Sequence, residues 1–188
     1  MKKETKSQLN VLMDKYHQKL AEAEGRQKQI KTEEDVFLTE FKRLRKKVIH
    51  RTMKSIGNQL KKRGHEYRIS EQEESVDLEG RTRNANITMS IFPTGVDRSA
   101  YRPENTPSIS FIATRHKKKV WIYGSSRMPS GGGTAGSRGE FNIAEISSDT
   151  VEREVLGVLK EIFDLERRLW KKCDDAGKLG GNKEKRPP

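Results

Sequence analysis

The chain has 188 residues, 31% hydrophobic and 35% charged, with a net charge of +12. That length suits one domain with an appendage, and the polarity is too high for a large globule. No apolar run approaches the roughly 20 residues of a membrane span, and the lone Cys173 excludes an intramolecular disulfide or a four-cysteine zinc site. A reducing, intracellular setting is expected. The start, Met1-Lys2-Lys3-Glu4-Thr5-Lys6, leads into no apolar signal segment, so a soluble cytoplasmic protein is expected.

The positive charge is concentrated early. Residues 1–31 carry 8 basic against 4 acidic side chains, residues 32–64 carry 10 against 4, and the rest 21 against 19. Residues 5–30 read as a helix with a narrow apolar stripe of Leu9, Leu12, Tyr16, Ala23 and Ile30, with Leu20 one residue out of step. Such a stripe cannot sustain a helix alone in water, so this segment is a candidate coiled coil that packs on a partner or on a second copy. Thr32, followed by Glu33, Glu34 and Asp35, reads as the start of a second helix over residues 33–63. Phe37, Leu38, Phe41, Leu44, Val48, Ile49, Met53, Ile56 and Leu60 give it a broad apolar face, and Gly64 a stop.

Beyond Gly64 the period changes from 3.6 to 2. A strand begins at Tyr67-Arg68-Ile69, and residues 71–83 read as an exposed acidic turn. Ala85, Ile87, Met89 and Ile91 alternate with polar residues, Pro93 ends that strand, and residues 93–107 form a long loop. Ile109, Phe111 and Ala113, then Val120 and Ile122, predict an antiparallel hairpin turning at Arg115-His116-Lys117. Residues 129–139 read as a mobile glycine loop, and Phe141, Ile143 and Glu145 as a last short strand. A final helix opens at Ser147-Ser148-Asp149-Thr150, with Asp149 and Glu152 at capping-box spacing. Val151, Val155, Val158, Leu159, Ile162, Phe163, Leu165, Leu169 and Trp170 form its apolar face, and residues 174–188 a disordered tail.

The expected fold is α+β: two N-terminal helices, an antiparallel meander of four or five strands, and a C-terminal helix on one sheet face. The expected organisation is a helical extension at 1–31, an α+β domain at 32–173 and a tail at 174–188.

No catalytic signature is present. The glycine run lacks the Gly-Lys-Ser/Thr ending of a phosphate loop, although Arg127 and Arg138 flank it and could close on an anion. His17, His50, His65 and His116 have no ligand spacing among themselves or with Cys173, so no metal or cofactor is expected. Ser125 and Ser126 have no base placed to activate them. The chain reads as non-enzymatic.

On the 33–63 helix, Arg43, Lys46, Lys47, His50, Lys54 and Lys61 lie opposite the apolar face, beside Asn58. A rigid row of cations can contact successive phosphates, so these residues are the candidate nucleic-acid-binding set. Nucleic acid is favoured over an acidic protein as the partner, and a membrane surface comes last because the apolar residues are needed for the core. A solvated helix face is the plain alternative for these cations. The other functional reading is an adaptor that uses its N-terminal helices and sheet face. Trp121 and Tyr123 point away from Val120 and Ile122. Beside Lys117 and Lys119 they would suit base stacking if exposed, but the usual burial of tryptophan favours Trp121 in the core.

Overall fold

The computed structural model describes the backbone of residues 3–179 and the side chains of residues 8–165. A helix α1 spans Lys3–Leu44, passes through a π-helical turn at Arg45–Ile49, and continues as α2 over His50–Lys62. Strands β1 (Glu66–Gln72), β4 (Asn86–Phe92), β5 (Ser108–Thr114), β6 (Lys119–Ser125) and β7 (Ala135–Phe141) form one antiparallel sheet in the order β1-β4-β5-β6-β7. A small hairpin of β2 (Ser75–Val76) and β3 (Thr82–Arg83) sits between β1 and β4. Helix α3 covers Ser148–Leu179. The α+β meander with its C-terminal helix is as expected.

Alternation puts Ile87, Met89, Ile91, Ile109, Phe111, Ala113, Val120 and Ile122 on one sheet face, and all are buried. Against them pack Phe37, Phe41, Ile49, Met53 and Leu60 from the N-terminal helix, and Val151, Val155, Val158 and Ile162 from α3. Each such side chain contributes about 1.5–3 kcal/mol by leaving water. Gly64, at φ +85°, ends α2 in a Schellman arrangement, with His65 N–H donating to Leu60 and Gly64 N–H to Lys61.

The expected break at Thr32 is absent. Thr32 Oγ1 donates to the Lys28 carbonyl, 2.9 Å away, and the helix runs on. Glu33, Glu34 and Asp35 serve a different purpose there. The β5–β6 turn supplies their counter-ions: Lys118 to Glu33 at 2.7 Å, and Arg115 to Glu34 at 2.9 Å and Asp35 at 2.6 Å. Glu74 completes this cluster, 3.0 Å from Arg115. The long helix is thereby tied to the end of the sheet.

The buried positions Phe37, Phe41, Arg45, Ile49, Met53 and Gly57 recur every fourth residue. In a regular α-helix each step of four advances the side chain by about 40°, so five steps would carry it to the far side. The π turn at Arg45–Ile49 absorbs part of that drift and keeps the seam on the sheet. Gly57 completes it, lying against the Tyr67 ring, whose hydroxyl donates to Asn58 at 2.9 Å.

Three expectations in the second half are corrected. The last strand is Ala135–Phe141, which begins within the expected loop and takes in Phe141 as expected, while Ile143–Glu145 is a single 3-10 turn. A bulge in the β6–β7 pairing turns Arg138 to the helix side. Gly124 and Gly157 leave room for it, and Glu154 and Glu161 bind it at 3.0 and 2.9 Å. The cap of α3 is Ser147, whose hydroxyl accepts from Thr150 N–H at 3.2 Å, rather than Asp149. Helix α3 also runs through 174–179, where a tail was expected, while 180–188 lie outside the described residues.

Candidate nucleic-acid interface

The basic set divides into free and engaged cations. Arg43, Lys46, Lys47, Lys54 and Lys61 are exposed, and none has a carboxylate in ion-pair contact among the described residues. Residues 8–30 of α1 are themselves exposed and do not fold back over this surface. Glu22 and Glu24 therefore do not mask the cations, and Glu22 accepts from Gln18 on its own helix.

His50 leaves the set. It is half-buried, with Nδ1 3.0 Å from Glu71 Oε1. The reason is the π turn. A projection at 3.6 residues per turn aligns His50 with Arg43 and Lys54, but the turn shifts every later residue by about one position, roughly 100°. His50 is brought to the sheet edge and Arg51 to the solvent side, where it is exposed and has no carboxylate in ion-pair contact among the described residues. Arg51 was not visible to a uniform helical projection. The signal that could have found it is the run of core residues spaced by four.

Residues 73–83 are largely exposed and turn at Asp77–Gly80, as expected, but Glu71, Glu73 and Glu74 are counterparts of the engaged cations. Arg45, 1% exposed, donates to the carbonyls of Gln72 at 3.0 Å and Asn86 at 3.4 Å, and pairs with Glu73 through Nη2. Its Nε lies 3.2 Å from Glu71 Oε2, close enough for an ion pair but misaligned for a hydrogen bond. Lys42 approaches Glu73 at 3.8 Å. The hydrogen bond from Arg45, with the neighbouring charges of Arg45, Lys42 and Lys46, holds the Glu73 carboxyl below its ordinary range. These contacts neutralise the cations at the sheet edge and leave the outer row as the net-positive surface.

The second surface is the sheet face away from the helices. The preference for a core Trp121 is overturned. Val120 and Ile122 are buried beneath the helices, while Trp121 and Tyr123 are half-buried on the open face. Their ring centroids are 5.4 Å apart with planes at 60°, an edge-to-face pair. Indole Nε1–H donates to Ser137 Oγ at 2.7 Å.

The glycine segment is not loose throughout. Ser126 N–H donates to the Thr134 carbonyl at 2.8 Å, and Thr134 N–H to Ser126 Oγ at 3.0 Å. Gly133, at φ +87°, sits so close to Ser126 that a Cβ there would lie 2.3 Å from its carbonyl oxygen. Arg138, one of the two arginines that could have closed on an anion, is held by Glu154 and Glu161; Arg127 is exposed.

Among the described residues no three His, Cys, Asp or Glu side chains converge as a metal cage, and no helix is long and apolar enough to cross a membrane. Comparisons with protein-family models, with curated proteins and with solved structures return no match to this chain.

Proposed function

We propose that this chain binds nucleic acid through the outer face of its long helix, without catalysis. The observation that carries the reading is the exposed row of Arg43, Lys46, Lys47, Arg51, Lys54 and Lys61, with no carboxylate in ion-pair contact among the described residues although acids pair with their neighbours Lys42, Arg45 and His50. Unpaired cations on a rigid helix retain their full attraction for phosphates. A solvated face would need no such separation of paired from unpaired cations. Fluorescence anisotropy of a labelled duplex tests it. The chain with Arg43→Gln, Lys47→Gln and Arg51→Gln together is expected to lose most of its affinity at low salt. Equal affinity would refute the reading.

A second reading has its own observation. Leu9, Leu12, Met13, Tyr16, Leu20 and Ile30 are exposed on α1. With Met13 in place of Leu12, the stripe of Leu9, Tyr16, Ala23 and Ile30 alternates at heptad spacing with Met13 and Leu20, which puts Leu20 in step. An adaptor or homo-oligomer built on this stripe would sediment as a complex, and Leu20→Glu would return it to a monomer. A wild-type chain that sediments as a monomer at all concentrations would remove the homo-oligomer.

A further inference from the structure

We infer that the open sheet face around Trp121 and Tyr123 binds single-stranded nucleic acid, with bases stacking on the two rings. It uses none of the helix-face cations and stands or falls separately from the reading above.

The first support is the presentation of the rings. Trp121 lies opposite Glu140 in the β6–β7 register, yet its indole N–H reaches Ser137, the partner of Tyr123. The indole therefore leans along the sheet toward Tyr123 instead of standing upright. Both rings are half-buried, so part of the aromatic surface remains in reach of a stacking base. Phe92, on the same face, is unlike them: Tyr101 packs edge-on at 5.1 Å and the Arg98 guanidinium sits 3.5 Å over its ring. The uncovered aromatic surface is thus confined to β6.

Apart from Ile112, directly beside the indole, the face around the rings is built of hydrogen-bonding side chains. Ser70, Thr88, Ser110, Tyr123 and Ser137 stand in register across all five strands. The next row is Gln72, Asn86, Ile112, Trp121 and Glu140. Amides and hydroxyls beside a stacking ring can meet the edges of unpaired bases, which a duplex keeps inside.

Charge selects the occupant. The carboxylate beside Trp121 is Glu140, and Lys117 binds it at 2.6 Å. That hydrogen bond, with Lys117, Lys119 and His116 around it, keeps Glu140 below its ordinary range. Lys119 and Arg68 have no carboxylate in ion-pair contact among the described residues, and Glu66 is bound by Arg98 at 2.6 Å. Arg115 and Lys118, from the same turn, are committed to the helix side. Each acid of the open face is therefore matched, and the excess is positive. This suits a polyanion with exposed aromatic rings, which is a single-stranded nucleic acid.

The test uses the full chain carrying Trp170→Phe, so that Trp121 is the sole indole of the two. A dT oligonucleotide of about twelve residues is the probe, with heparin and a blunt duplex as comparators. The oligonucleotide is expected to quench Trp121 emission, and heparin and duplex to do so much less. Trp121→Ala is expected to weaken oligonucleotide affinity by about five- to a hundred-fold, and Trp121→Phe far less. Where Trp121→Ala lowers the thermal midpoint sharply, Trp121→Leu, which keeps bulk without a π face, takes its place. The quenching should persist in the Arg43→Gln, Lys47→Gln, Arg51→Gln background, which separates this site from the helix face. Absence of quenching, equal quenching by heparin, or unchanged affinity in the Trp121 variants would overturn the proposal.

Discussion

Arg45 and Glu73 form an ion pair at the point where the long helix changes its pitch. The arginine is fully buried, and its Nη1 donates to the carbonyls of both Gln72, at the end of β1, and Asn86, at the start of β4. One side chain thus joins the π turn, two strands and the acidic segment. Removing it takes the donor from both carbonyls and the guanidinium charge from Glu71 and Glu73. Arg45→Ala is expected to cost about 3–5 kcal/mol in urea unfolding. Arg45→Lys, which cannot reproduce the planar fork, should recover only part of this. A loss below about 1 kcal/mol for Arg45→Ala would contradict this account of the helix anchor.

The same pair sets an acid limit. The folded-state carboxyl of Glu73 is depressed, chiefly by the hydrogen bond from Arg45, from an ordinary value of 4.5. Its contribution is fully present above that value and is lost as pH falls through the lower folded-state value. Stability measured by urea titration should therefore decline below about pH 4.5, and Glu73→Gln should flatten the decline while lowering stability at neutral pH. Identical pH profiles for the two chains would exclude the coupling.

Gly57 is a packing position and not a flaw in the helix. A Cβ there would lie 2.4 Å from the Tyr67 ring. Alanine favours the helix by about 1 kcal/mol, but displacing the ring costs about 1–3 kcal/mol and breaks its bond to Asn58. Gly57→Ala should be net destabilising, and the penalty should vanish in a Tyr67→Ala background. A more stable Gly57→Ala chain would be the contrary result.

Two glycines of one segment should behave differently. Gly131 and Gly133 both have positive φ, but only Gly133 faces a backbone carbonyl within clash distance. Gly131→Ala should cost about 1 kcal/mol from backbone strain alone. Gly133→Ala should cost clearly more, because the neighbouring Ser126–Thr134 pairing must open. Thermal midpoints compare them directly, and equal shifts would mean that the segment is free after all.

The strands were legible because their chemistry is local. Ile87, Met89 and Ile91 alternate with polar residues, and that pattern fixes both strand and facing. Gly64 announced the end of the helix for an equally local reason, its positive φ. Strand β7 was hidden because Gly136 and Gly139 give it the composition of a loop, and its pairing comes from β6. The facing of Trp121 followed from Val120 and Ile122 but was set aside for the average habit of tryptophan. The π turn was out of reach of a fixed 3.6-residue period, so His50 was counted as free, and Arg45 and Arg51 were given no place. Each of those three side chains depends on a contact with residues more than twenty positions away, or on the turn itself.

The salt dependence of duplex binding tests the central claim most directly. If Arg43, Lys47, Arg51 and Lys54 each neutralise a phosphate, log affinity should fall against log salt with a slope of about −3.6. Arg51→Gln and Lys47→Gln should each reduce the steepness by about one unit, equally for all duplex sequences, while His50→Gln should leave it unchanged. A chain that does not bind at low salt, or a slope that responds to His50→Gln and not to Arg51→Gln, would contradict the assignment of the helix face.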